Sequence, residues 1–369
     1  MSFELVYTSA RRGLKEGASG FCTVAATDGI PRPLHEKLES LSGYSHTEAA
    51  TGAEPPVNHS HLTIRIQRNF YHVVSRIGDA GIDYTGRTNK IAHHLALSEA
   101  EAAGFPQGPA ALFADYGFWH TDWDGEPEAI PPGRIPSSYV EPVEGFGTWA
   151  EVFGDAGWAG VLGHAVANGL KPVSIIVPNP DDTMKMLHEA LLLVSPRDRW
   201  KVCFSTYFSR LAPGTQCHWR FVLDGTTEAR KLRARSLGLL VDPRGSTGEP
   251  PDGNPFVEAA RDDEPNRVHS VARSTSRRGD AASGRADRGG NMSRTPRSGH
   301  RRPTQSRHPS SPGARRPSIR DLEYVEEYDD KDAHQGRPRR RKPRKNAKIL
   351  VVIALLMLAI VVLGFFAMQ

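Results

Sequence analysis

Residues 173–208, VSIIVPNPDDTMKMLHEALLLVSPRDRWKVCFSTYF, decide the fold class. VSIIVP is a short apolar run closed by Pro178, the pattern of a buried strand. Asp181 caps DDTMKMLHEALLLV, whose apolar residues recur at helical spacing, and KVCFSTYF returns to a strand pattern. Strand, helix and strand joined by short loops predict a βαβ unit, and so a domain that mixes both element types. Upstream, Leu62, Ile64 and Ile66 of HLTIRIQ face one way while Thr63, Arg65 and Gln67 face the other, a half-buried strand. FYHVVSRI follows across Arg68 and Asn69 and pairs with it as a hairpin. FELVYTS (3–9) and FCTVAAT (21–27) also read as strands, and Asp224 and Gly225 close a last one, HWRFVLD.

Helices are expected in PLHEKLESL, where Leu34, Leu38 and Leu41 share a face, and in NKIAHHLALSEAEAA (89–103), where Ile91 and Leu95 do. WAEVFGDAGWAGVLGHAVANG carries Gly157, Gly160 and Gly163 three residues apart. No strand precedes these glycines and the G-x-G-x-x-G order is absent, so they signal close helix packing or a break rather than a nucleotide loop. The expectation is one α/β (mixed α+β) globular domain over residues 1–241.

Beyond it the composition changes. Residues 242–348 are dominated by Arg, Ser, Pro, Gly and Asp without helical or strand period, the signature of a disordered tether. From Val241 onward lie 25 Lys and Arg against 16 Asp and Glu, and before it 22 against 26. The basic overall balance therefore belongs to the tether, and an acidic folded part is a poor nucleic-acid binder. Within the tether an acidic island, 319–332, holds Leu322, Tyr324, Val325 and Tyr328, a candidate linear binding motif. Just before it, Ser318 stands in an Arg-Arg-x-Ser run and is a candidate phosphorylation site. Residues 349–368, ILVVIALLMLAIVVLGFFAM, form an uncharged run long enough to span a bilayer as a single helix. RPRRRKPRKNAK precedes it, and the positive-inside rule then places the N-terminal domain in the cytoplasm. A tail-anchored, single-pass membrane protein is the expectation. Cys22, Cys203 and Cys217 are too few and too scattered for a disulfide framework, which suits a reducing compartment.

Chemistry could gather in three places. Arg87, Asn89, His93 and His94 lie in GRTNKIAHHLAL. If Thr88 or Asn89 capped a helix there, free N–H groups beside Arg87 would suit an anion, whereas a capped helix with a buried His would explain the same residues structurally. Cys203, Cys217 and His218 with His59 or His61 lack metal-ligand spacing. Cys22 sits in an apolar strand, as a packed thiol does. No Walker loop, nucleophile elbow or zinc helix is present, so neither a catalytic residue, a cofactor nor a metal is assigned.

FELVYTSARRGLKEGASGFCTVAAT, LESLSGY, DYTGRTNKIAHHLAL, GDAGWAGVL and FSTYFSRLAPGTQCHWRFV, in this order from Phe3 to about Val241, resemble the N-terminal domain family (type 2) of bacterial GTPase-associated proteins. That resemblance implies a non-enzymatic adaptor module in a multi-component system built around a GTPase. It implies no catalytic residue. The tether and anchor, in place of further folded modules, depart from the family's pattern. The expected function is thus a membrane-tethered adaptor recruiting a protein partner, a GTPase or a component of its complex. The alternatives are a membrane-tethered enzyme of unknown reaction and a protein that binds nucleic acid through its basic tether.

Overall fold

Alternating and continuous apolar runs become strands where the chain can bury them on a shared sheet. In the computed structural model, which describes residues 1–46, 54–137, 143–169, 171–235, 238–244 and 248–269, they do so ten times. The N-terminal half runs β1 (Phe3–Ala10), β2 (Gly20–Thr27), α1 (Arg32–Leu41), β3 (Asn58–Ile66), β4 (Asn69–Ile82), β5 (Thr88–Ser98), α2 (Glu99–Ala102) and β6 (Glu128–Ile130). The second half runs α3 (Gly147–Phe153), α4 (Gly157–Ala167), β7 (Val173–Val177), α5 (Thr183–Leu192), β8 (Phe204–Ser205), β9 (Trp219–Leu223), α6 (Thr227–Ala234), β10 (Leu239–Val241) and α7 (Pro255–Arg261).

All ten strands share one sheet in the order β10-β7-β9-β8-β3-β4-β5-β1-β2-β6. Strands β10, β7, β9 and β8 are mutually parallel, whereas β3, β4, β5, β1 and β2 are antiparallel. The two regimes meet at β3 and β8 through two residue pairs, Ser60 with Ser205 and His61 with Phe204. The expected βαβ unit is present in wider form: β7, α5 and β8 follow one another, but β9 inserts between the two strands.

On one face of the N-terminal half, Leu34, Leu38 and Leu41 of α1 pack on Phe3, Leu5, Ile64, Val73 and Ala96. Each buried leucine contributes about 1.5–3 kcal/mol. On the other face a larger core joins Val74, Leu95 and Leu97 to Trp149, Val173, Ile175, Met186 and Phe221, so both halves share it. The β3–β4 hairpin forms as its alternation demands, with Ile66 paired to Asn69. Its turn is therefore Gln67 and Arg68, one residue earlier than expected, with Gln67 at φ 55°. Gly160 is a packing glycine: a Cβ there would run into the Phe256 carbonyl of α7. Gly154, in the left-handed region at φ 76°, ends α3 and supplies the break before α4.

Two expectations are corrected. Residues 89–103 are a strand, β5, followed by the four-residue α2, rather than one helix. Strand β5 lies between β4 and β1 and is buried on both faces, so its polarity does not alternate, and the Ile91 and Leu95 spacing fits a helix and a strand alike. The folded part also continues past Val241. Asn254 caps α7, and Val257, Ala259, Ala260 and Val268 enter the shared core, so a tether starting at residue 242 would begin inside the domain. Among the described residues no helix is long and apolar enough to cross a membrane. The expected span 349–368 and the motif residues Ser318, Leu322, Tyr324, Val325 and Tyr328 lie outside the described residues.

Candidate functional site

Successive side chains of a strand point to opposite faces, so His93 and His94 part company on β5. His93 faces Phe118, stacked on its ring at 5.2 Å and 14°, and Trp119. Its Nδ1 accepts the His120 backbone N–H at 3.2 Å, which leaves the proton on Nε2, 3.2 Å from the Glu4 carboxylate. Burial, with His120, Arg134 and Arg76 nearby, holds His93 neutral, well below the usual imidazole range. Burial pushes Glu4 up to about 7, against the opposing pull of Arg134 and His120. The pair could hold a proton near neutral pH. Yet its two side chains are 0% and 1% exposed, so no substrate reaches them.

His94 lies under α1, between Ser42 Oγ at 2.8 Å and Ser75 Oγ at 2.7 Å. Ser42 Oγ donates to the Leu38 carbonyl at 3.3 Å, so it accepts from His94 Nε2, and Nδ1 accepts from Ser75. A serine that is an acceptor in a closed core is not a nucleophile.

Asn89 Oδ1 accepts the backbone N–H groups of Ser9 at 3.1 Å and Lys90 at 2.8 Å, and so ties β5 to β1. Arg87 serves the β4–β5 turn. Its Nη2 is 3.3 Å from Asp83 and its Nε donates to Thr85 at 2.8 Å. Asp83 also collects the N–H of Thr85, the N–H of Arg87 and the hydroxyls of Thr85 and Ser9. These donors hold its carboxyl far below the ordinary range. The helix N-terminus on which an anion site there would have rested is absent, because residues 88–98 are extended. The four residues do not converge: each secures a different contact.

Cys203 Sγ lies 3.6 Å from the Thr63 hydroxyl, and His218 Nδ1 accepts the Cys203 backbone N–H at 3.0 Å. No group of three or more His, Cys, Asp or Glu side chains suited to a metal occurs among the described residues. Cys22 is buried beside Val6, Val24 and Ile91, and burial pushes its thiol up, away from nucleophilic use.

One open feature among the described residues is a cleft of about 1020 Å³ beyond the carboxyl ends of β7, β8 and β9. Its floor comes from Asn179 after β7, Tyr207 after β8 and Thr226 after β9, and Ser45, His46 and Pro56 of the N-terminal half close one side. Crevices at the carboxyl ends of parallel strands are where α/β sheets receive ligands. Tyr207 fixes the wall by donating to the Ser45 carbonyl at 2.9 Å. The charged groups are mostly paired: His46 with Asp79 at 2.8 Å, Lys231 with Glu228 at 3.5 Å, and Asp224 with Arg233 at 2.6 Å and Arg244 at 3.0 Å. Thr226 Oγ1 caps α6 through the Ala229 N–H at 3.2 Å. Glu54 and Arg230 also line it outside these ion pairs, so the surface offers hydrogen bonds, shape and a little charge to a polar partner. Composition hid it, since its walls come from loops more than 100 residues apart. The readable signal was Asn-Pro (179–180) and Asp-Gly-Thr-Thr (224–227) directly after apolar strands.

Residues 1–136 match the family described as GTPase-associated protein 1, N-terminal domain type 2, and residues 146–245 match the GTPase-associated protein 1 middle domain. The chain belongs to the GTPase-associated protein 1 family. No curated protein matches it. What the sequence suggested as one domain is thus two family domains: the N-terminal domain holds β1 to β6, and the middle domain holds α3 to β10. Both contribute to the cleft. These GTPase-associated protein 1 domains tie the chain to a GTPase-related role.

Proposed function

We propose that this protein is a non-enzymatic adaptor that receives a protein component of a GTPase system in the cleft between its two family domains, and that residues 349–368 hold it at the cytoplasmic face of a membrane. The observation that carries the reading is the cleft itself, lined by both GTPase-associated protein 1 domains at the carboxyl ends of the parallel strands. The inward placement of Glu4, His93, Ser42 and His94 supports the non-enzymatic half, since groups able to move protons are sealed from any substrate. The apolar run and its basic neighbour support the membrane half. Recruitment can be a function in itself, because tethering raises a partner's effective concentration towards about the mM range for short linkers.

The test retains full-length chain in mild detergent and probes it with cytosolic proteins in the presence of GDP or a GTP analogue. A GTPase or its complex should be held by the native chain and lost when Thr227→Trp narrows the cleft. Equal retention by the variant would remove the cleft from the reading. Sustained nucleotide turnover by the purified chain would overturn its non-enzymatic half.

A further inference from the structure

A second cavity among the described residues, of about 570 Å³, lies where β3, α5 and the helical turn Pro109–Ala114 approach one another. None of its lining residues lines the cleft. Its volume falls in the range of about 300–1,000 Å³ in which proteins hold small molecules. Phe113, Ala114, Val143 and Met184 make the walls apolar, and His59 and His188 supply polar edges. The His59 ring meets Phe113 edge-on at 4.6 Å, and its Nδ1 is sealed without a hydrogen-bond partner. Its Nε2 makes no hydrogen bond either but is not sealed, so it is the nitrogen the cavity can reach. Burial, then Arg76 and His188, brings His59 down to about 3, so the ring is neutral and has one N–H proton to place. A buried bare acceptor is tolerated better than a buried orphan N–H. The proton therefore sits on Nε2, and His59 offers the cavity a donor.

The charges around the cavity do not balance. Its one carboxylate, Glu189, is engaged by the Thr148 N–H at 3.0 Å, the Thr148 hydroxyl at 2.5 Å and the Trp149 N–H at 3.3 Å. Lys185 stands exposed at the rim with no ion-pair partner among the described residues. Two more cations stand behind the wall. Arg76 lies opposite His59 across β3 and β4, and Arg199 is close enough to His188 to help burial keep that ring neutral. Both arginines are half-buried, yet Arg76 donates to the His120 carbonyl at 3.4 Å, Arg199 to the Val194 carbonyl at 3.2 Å, and neither meets a carboxylate among the described residues. Cations withdrawn from water are normally paired with an anion. We infer that this cavity binds a small aromatic carboxylic acid, its carboxylate turned towards Lys185, its ring among Phe113, Val143 and Met184, and an acceptor oxygen within reach of the His59 Nε2–H. One free ammonium beside neutral imidazoles matches a single negative charge, and aromatic edges with a thioether match a flat apolar body.

Full-length chain in mild detergent, irradiated with 4-benzoylbenzoate, tests this, because the acid carries its own crosslinking ketone. Label should saturate with probe concentration and map to Met184 or to residues 113–116. Losing a charge-assisted hydrogen bond lowers affinity by about tenfold. The neutral alcohol of the same body should therefore label about tenfold less below saturation. Lys185→Glu should match that loss and Lys185→Arg should recover most of it, and neither should shift thermal melting, because Lys185 is exposed. His59→Gln, which keeps a donor, should label more than His59→Leu. Label confined to residues 349–368, no label at all, equal labelling by the alcohol, or an indifferent Lys185→Glu would each overturn the assignment. None of these readouts involves a protein partner, so the adaptor reading stands or falls separately.

Discussion

His94 keeps two hydroxyls satisfied where no water reaches them, so His94→Leu should strand Ser42 and Ser75 and cost about 2–4 kcal/mol in urea unfolding. His94→Gln, which can still donate and accept, should cost less. Buried imidazoles also set the acid response. Burial holds His61 and His94 down to about 3, whereas the unfolded chain takes up these protons near 6.5. The unfolded state then binds more protons, and stability falls as pH drops from 6.5, by about 1.4 kcal/mol per unit for each ring. Glu4 runs the other way between 4.5 and 7, because the folded form keeps its proton longer. Two rings outweigh one carboxyl. The urea midpoint should therefore decline from pH 6.5 to 4.5, and His94→Gln should flatten that slope by about one ring's share; an unchanged slope would contradict the burial argument. Residue type alone flagged Arg87, Asn89, His93 and His94, but not what they touch. The partner of His93 is 89 residues away, and the hydroxyls around His94 come from two other elements, so nothing in local spacing could show them.

At the scale of elements, close approach of α4 and α7 depends on a missing side chain. Gly160→Val should push α7 off its seat, lowering the melting temperature and exposing residues 248–269 to protease, while Gly147→Ala, at a site with open space and an ordinary φ, should change neither. A chain ending at residue 244 should likewise melt below one ending at 269, because Val257, Ala259 and Ala260 leave the core uncovered when removed. Identical melting curves would return the domain boundary to Val241. Local pattern revealed α1, whose buried leucines share one face, and the β3–β4 hairpin, because the outer part of β3 alternates between buried and wetter positions. It misread β5, which has two dry faces, and it passed over α7, whose apolar content is three short side chains and one phenylalanine.

Among the described residues, two family domains share one sheet. Two residue pairs bridge β3 and β8, but the core beneath them runs from Leu95 to Phe221 without a break. Residues 1–269 should therefore unfold in a single calorimetric transition, whereas two separated peaks would mean that the halves are thermodynamically independent. Removing 349–368 should move the protein from the membrane fraction to the supernatant, and recovery of the shortened chain in the membrane fraction would reassign the anchor. Neither the strand order nor the insertion of β9 between β7 and β8 was legible beforehand, since both depend on pairings between residues far apart in the chain. The shared core carries a cost for any attempt to divide the protein. Produced alone, residues 1–136 would present Val74, Leu95, Leu97 and Phe113 to water beside the newly bared edge of β3. A lone N-terminal domain would thus be an aggregation hazard, pairing that edge with another copy, unless the middle domain was supplied to cap it.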